Sequence, residues 1–264
     1  MNNYYPGKSF NKTKKKVNIN NSLIKKMTIK DIEKRIETYL PMRKSLTKSL
    51  GEVFTPYKII EKMLNKLPAK VWSNPNLTWL DPACGIGNFH MVVYNKLMIG
   101  LKKSIKDDVK RADHIITKML YMIEYNTKNY VIAKKIFGKK SNVYNGSFLY
   151  GDNGEKPKWK MYFKKYKFDI IIGNPPYNKN GTGRTSGSRQ PYWKDFIDLS
   201  LNILNNKDSL LLFIIPTGWR KPYSYKNHKN IGRFLLEFNV KGSLYYINMS
   251  DIPIPNFPPV DIFI

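Results

Sequence analysis

Apolar positions along the chain follow two rhythms. In "PYKIIEKMLNKL" (56–67), "NFHMVVYNKLMIGLKK" (88–103), "KNYVIAKKIFG" (128–138), "YWKDFIDLSLNILNN" (192–206) and "IGRFLLEFNV" (231–240) they recur every three to four residues. That spacing predicts helices with one buried face. Between them stand short, nearly continuous apolar runs of strand length. "LTWLDPACGIG" (77–87) reads as a strand entering a glycine turn, and "MLYMIEYN" (119–126) as a strand ending in an acid. "NVYNGSFL" (142–149) is a short strand and turn, followed by "KFDIIIGNPPY" (167–177) and "SLLLFIIP" (209–216). "GSLYYINM" (242–249) is another, and "PPVDIFI" (258–264) reads as the beginning of a last one. Strands alternating with helices predict an α/β domain with a mostly parallel sheet and helices on both faces. Burial on both faces explains why the strands are apolar throughout rather than alternating. Because the final apolar run has neither turn nor cap, the expected sheet lacks its last strand or strands.

Upstream of residue 50 the pattern changes. Residues 1–27 are rich in Lys and Asn and poor in apolar side chains, a composition that predicts a disordered or loosely attached arm. "TIKDIEKRIETYL" (28–40) places Ile29, Ile32, Ile36 and Leu40 on one helical face, and Pro41 ends it. The expected organisation is a basic extension over residues 1–49 and one catalytic domain over 50–264.

Composition sharpens this picture in two respects. Lys and Arg number 46 against 19 Asp and Glu, a net charge of +27, so the chain attracts polyanions, nucleic acid first among them. A lysine-rich reading of AT-rich coding accounts for part of that excess without removing its electrostatic effect. The single cysteine, Cys84, excludes a disulfide framework and a Cys-cluster metal site, and suits an intracellular protein. No apolar run approaches the roughly 18 residues needed to span a bilayer.

Two stretches carry candidate chemistry. In "LDPACGIGNF" (80–89) a strand delivers Asp81, and Gly85 and Gly87 let the backbone turn tightly beside a ligand. Glu124, at the end of the next strand, is placed to hydrogen-bond ribose hydroxyls or to cap the following helix. In "IIGNPPY" (171–177) two rigid prolines hold Asn174 and Tyr177 at the carboxyl end of a buried strand. Asn-Pro is also an ordinary turn former.

The pair "DPACGIGNF" and "IIGNPPY", with "GEVFTP" (51–56) before them, resembles the S-adenosylmethionine-dependent DNA adenine-N6 methyltransferases. Cofactor segment first and NPPY segment second is similar to the gamma arrangement found among type II and IIG restriction-modification methylases. The resemblance covers roughly residues 50–264 and implies a Rossmann-like methyltransferase fold. It implies catalytic roles for Asn174, Pro175, Pro176 and Tyr177, with the Asn174 oxygen and the Pro175 carbonyl accepting the two N–H bonds of a flipped adenine. It implies S-adenosyl-L-methionine held by Thr55, Pro56, Asp81, Ala83, Gly85, Glu124, Ser147 and Asn174. Ser147 stands where the family usually has an acid, in "NGSFL" rather than "GDFL", and Asp152 lies near it in sequence. Phe89 and Phe148 pack against the adenosine or belong to the core, core being the expectation for Phe89. No metal is implied.

Double-stranded DNA is the implied partner, gripped by Tyr177 and by Arg184 and Arg189 of the Gly/Ser-rich stretch 178–191. Gamma enzymes carry a target-recognition domain that the chain does not show, so a separate specificity subunit is a candidate partner. The context expected is bacterial, phage or large DNA virus. Alternatives sharing the NPPY chemistry are protein-glutamine N5 and RNA adenine methylation, or a catalytically incomplete nucleic-acid-binding subunit.

Overall fold

The computed structural model describes residues 55–150, 156–177 and 192–216, together with the backbone of strands 246–248 and 260–263. The extension 1–49, its helix at 28–40, residues 51–54, Asp152, the stretch 178–191 with Arg184 and Arg189, and the helix expected at 231–240 lie outside the described residues.

The core is a seven-stranded sheet, β1 (Trp79–Asp81), β2 (Leu120–Glu124), β3 (Asn142–Asn145), β4 (Ile170–Gly173), β5 (Leu210–Pro216), β6 (Tyr246–Asn248) and β7 (Val260–Phe263). Their spatial order is β3-β2-β1-β4-β5-β7-β6. β1 to β5 run parallel, and β7 lies antiparallel between β5 and β6. This corrects the expectation of a sheet without its last strands. The four residues of β7 enter between two strands that precede them in sequence. Phe213 pairs with Phe263, and Tyr246 pairs with the same residue from the other side.

The apolar strands divide their side chains between two cores by their period of two. Trp79, Met122, Ile170, Ile172, Leu212 and Ile214 face one side. Leu80, Ile123, Ile171, Leu211, Phe213 and Ile215 face the other. The first side is covered by α1 (Tyr57–Leu64), α2 (Lys70–Ser73), α3 (Asn88–Gly100), α4 (Asp108–His114) and α5 (Thr127–Phe137). α6 (Trp159–Phe163) and α7 (Tyr192–Asn202) cover the second, through Trp159, Trp193, Phe196 and Ile197. Both suspected adenosine-packing rings are core: Phe89 is 4% exposed, and Phe148, 2% exposed, stacks on Trp159. Among the described residues no helix is long and apolar enough to cross a membrane.

Two segments depart from the simple alternation. α4 passes into a π-helical turn (Ile115–Met119) immediately before β2. Its charged text, "DDVKRADH", conceals a helix that Asp107 caps by accepting from the Lys110 N–H at 2.7 Å. The wider consequence of the strand order is a switch point. From β1 the chain winds one way through β2 and β3, and then returns to place β4 on the other flank of β1. Crevices at such points, outside the carboxyl ends of the strands, are where open α/β sheets bind ligands. The glycine turn leaves β1 there and the NPPY segment leaves β4.

Candidate active site at the carboxyl edge of the sheet

Three strand ends build the site. β1 ends at Asp81, and the following turn needs glycine twice. Gly85 has φ +58° and Gly87 has φ +95°. A Cβ on Gly87 would stand 2.4 Å from Cε2 of the Phe137 ring. The turn closes through the Gly87 N–H donating to the Cys84 carbonyl at 2.8 Å, and α3 begins directly after it.

The turn is tied to β2. The Cys84 N–H donates to the Ile123 carbonyl at 3.0 Å. The Glu124 carboxylate accepts from the Gly85 N–H at 2.7 Å through Oε2 and from the Asn126 N–H at 2.6 Å through Oε1. Glu124, 7% exposed, therefore clamps the glycine turn to the residue that precedes α5. Asn126 caps that helix itself, accepting from the Lys128 N–H at 2.9 Å.

Asp81 lies beneath both motifs. It is fully buried, and its Oδ1 accepts from the Ala83 N–H at 3.1 Å. Oδ2 has no hydrogen-bond partner among the described residues. Burial in this setting pushes its carboxyl up to about 8, against the opposing bond from Ala83. Across the β1–β4 pairing, Gly173 abuts it: a Cβ there would approach Asp81 Oδ1 to 2.8 Å. One buried side chain thus touches the turn that leaves β1 and the backbone that leaves β4.

At the end of β4 the polar groups pair with one another. Asn174 Nδ2 donates to Thr55 Oγ1 at 3.2 Å, and the Tyr177 hydroxyl donates to Asn174 Oδ1 at 2.9 Å. Tyr177 is half-buried and packs against both cores, and burial raises its phenol above the usual range. Pro175 is buried and Pro176 exposed. Thr55 is 4% exposed, while Pro56, at the start of α1, faces outward. Thr55 therefore meets the NPPY segment directly, 119 residues away in sequence.

On the β2–β3 side the edge opens into a cavity of about 510 Å³. It is lined by Tyr125, Thr127, Tyr144, Asn145, Gly146, Ser147, Tyr150 and Lys158. Ser147 is where the family resemblance puts a cofactor-facing group, and its oxygen accepts from the Leu149 and Tyr150 N–H groups, both at 3.2 Å. The aromatic lining went unnoticed in the sequence. Its one signal is that Tyr125 directly follows Glu124, and it is 78% exposed despite its size. Of the expected site residues, Asp81, Ala83, Gly85 and Glu124 form one connected group, Thr55, Asn174 and Tyr177 a second, and Ser147 sits in the cavity.

A tyrosine-walled cavity of this size fits a purine-bearing ligand, and at Gly87 a Cβ would collide with the Phe137 ring, so the turn keeps its tight path only with glycine there. The cavity suits the purine of S-adenosylmethionine.

Comparison with known proteins bears on family and fold. The Eco57I restriction-modification methylase family model matches residues 86–252. An uncharacterized adenine-specific methylase of Mycoplasma pneumoniae is 29% identical over 236 residues, covering 64% of this chain and 55% of its own length. The modification methylase CviBIII of Paramecium bursaria Chlorella virus NC1A is 23% identical over 196 residues, covering 71% of this chain and 44% of its own. The chain thus spans about half the length of the curated relatives it matches. Solved structures share the fold, and two illustrate it. A nuclease-deletion mutant of the Type ISP restriction-modification enzyme LlaGI, in complex with a DNA substrate mimic, aligns at TM-score 0.60 and 15% identity over 89% of this chain and 28% of that one. The Type I restriction enzyme EcoKI M protein aligns at TM-score 0.52 and 15% identity over 82% of this chain and 44% of that one.

Proposed function

The chain belongs to the Eco57I restriction-modification methylase family, and from that premise we propose that it is a DNA methyltransferase acting on N6 of adenine. The observation that carries the reading is the Asn174 side chain, held at the carboxyl end of β4 next to the strand that bears the glycine turn. An adenine amine is a weak nucleophile because its lone pair is delocalised into the ring. Asn174 Oδ1 and the Pro175 carbonyl accept its two N–H bonds, draw the nitrogen toward tetrahedral geometry and stabilise the charge that develops on it. The two prolines fix the backbone that carries both acceptors, so that part of the orientation is in place before reaction. S-adenosylmethionine supplies an electrophilic methyl group when bound. Gly85 and Gly87 let the backbone come close to it, and Tyr125 offers a flat surface for its purine. The methylated nitrogen then sheds one of its two protons to solvent, so the scheme uses neither a metal nor a strong base of the chain.

The target amine is buried in a duplex, so the base leaves the stack at a cost of a few kcal/mol. Tyr177 stacks on the extruded ring and recovers about 1–3 kcal/mol. In doing so its hydroxyl gives up Asn174 Oδ1, the acceptor it now occupies, to the incoming amine. Arg184 and Arg189 hold flanking phosphates, and the +27 charge draws the duplex in. The target sequence is read by a further domain or by a separate specificity subunit. Such a protein works in the DNA-containing compartment of a bacterial, phage-infected or virus-infected cell.

The test is incubation with methyl-labelled S-adenosylmethionine and mixed-sequence duplex DNA, with a parallel RNA arm, followed by nucleoside analysis. Label in N6-methyladenine from DNA supports the proposal. Label confined to RNA, or none in either arm, refutes it.

A further inference from the structure

At the end of β4 the prolines restrain the backbone but leave one torsion free. The terminal torsion of an asparagine side chain is broad and roughly two-fold. Its two orientations are chemically opposite, one presenting an acceptor and the other two donors. For an amide that must receive an amine, this torsion decides whether the site attracts or repels its substrate.

The structure ties that rotor down from outside the NPPY segment. Asn174 Nδ2 donates to Thr55 Oγ1 at 3.2 Å. Thr55 is buried and immediately precedes Pro56, whose carbonyl accepts from the Ile59 and Ile60 N–H groups in the first turn of α1. The buried face of that helix, Ile59, Ile60, Met63 and Leu64, anchors it in the core. The hydroxyl therefore stands two residues before a helix that is packed into the core.

We infer that Thr55 is a positioning residue for methyl transfer, holding the Asn174 amide with its nitrogen toward α1 and its oxygen toward the reacting amine. The inference rests on the methyltransferase reading and deepens it, since the family resemblance gives Thr55 to the cofactor alone. Loss of the hydroxyl frees the amide to turn over and set its NH2 against the substrate N–H, donor against donor. The Tyr177 hydroxyl cannot hold the orientation by itself, because it leaves Asn174 when the base enters.

Thr55→Val removes the hydroxyl at nearly constant volume, and Thr55→Ser retains it. Single-turnover methyl transfer to duplex DNA and the cofactor Kd, measured on both variants and the wild type after a melting check, separate the possibilities. A displaced acceptor predicts about 10–100-fold slower transfer for Thr55→Val at saturating cofactor. The same account keeps its cofactor Kd near the wild-type value and has Thr55→Ser recover most of the rate. Transfer by Thr55→Val at the wild-type rate overturns the inference. So does a weakened cofactor Kd with an unchanged saturated rate, which assigns Thr55 to the cofactor alone. A wild-type protein that methylates no DNA brings down the proposed function and this inference together, whereas an active wild type matched by Thr55→Val brings down only the inference.

Discussion

The glycine turn after β1 and the NPPY segment after β4 emerge from neighbouring strands of one sheet, yet they are built on opposite plans. The turn is locked by a carboxylate: Glu124 spends its oxygens on the backbone N–H groups of Gly85 and Asn126. The NPPY segment is stiffened covalently by its prolines, and its polar side chains are joined by neutral bonds, Thr55 to Asn174 to Tyr177. Charge-assisted bonds are roughly twice as strong as neutral ones. A turn held that way is a fixed cradle, while an acceptor held by a tyrosine hydroxyl can be exchanged for a ligand's N–H at little cost. The difference teaches which motif binds by shape and which by trading partners.

The comparison breaks most severely at Asp81, which touches both plans at once. Its folded-state carboxyl is raised to about 8 by burial, against about 3.9 in an unfolded chain. The folded state therefore holds a proton that the unfolded state has released. The contribution of Asp81 to stability is full below about pH 4, falls as pH rises toward 8, and levels off beyond it. Asp81→Asn removes that slope. Melting temperatures of the two proteins from pH 4 to 9 check it, and parallel curves would show Asp81 to be ionised in the fold.

Next in size is the clamp. Glu124→Gln places an NH2 against one of two backbone donors and costs about 2–3 kcal/mol. The loss shows in urea titration and in weaker cofactor binding, with the saturated transfer rate preserved. Gly173→Ala costs about 1–2 kcal/mol as the new methyl presses on the Asp81 carboxylate. Because it moves the root of Asn174, this variant slows transfer more than it weakens cofactor binding, the reverse of Glu124→Gln.

Smallest is Tyr177→Phe, which keeps the stacking ring and deletes the hydroxyl that occupies Asn174 Oδ1. Its stability cost is about 1 kcal/mol. Since the acceptor no longer has to be vacated, DNA binding holds or improves. A large fall in DNA affinity would show that the hydroxyl contacts the substrate instead.

Much of this was legible in one dimension because it is local. "IIIG" and "LLLFII" could only be buried strands, and glycines at 85 and 87 could only be a tight turn. The NPPY segment declared its own rigidity. What stayed hidden is what depends on contacts between distant residues. Nothing in the text "PPVDIFI" says that four residues will slip between β5 and β6 rather than begin a new edge. Glu124 announces an acid at a strand end, but its bond to Gly85 spans 39 residues. Thr55 and Asn174 are farther apart still. The cavity lining escaped for another reason: with 18 tyrosines in the chain, the three that share a wall carry no mark of it.

The division of labour between the two strand ends is tested most directly by Asn174→Ala, assayed for cofactor Kd and for methyl transfer to duplex DNA on one preparation. The account predicts a cofactor Kd within a few-fold of wild type and transfer slower by about 10²-fold or more, the effect of deleting one preorganised acceptor. Transfer that survives at near the wild-type rate, or a Kd lost in step with the rate, contradicts it.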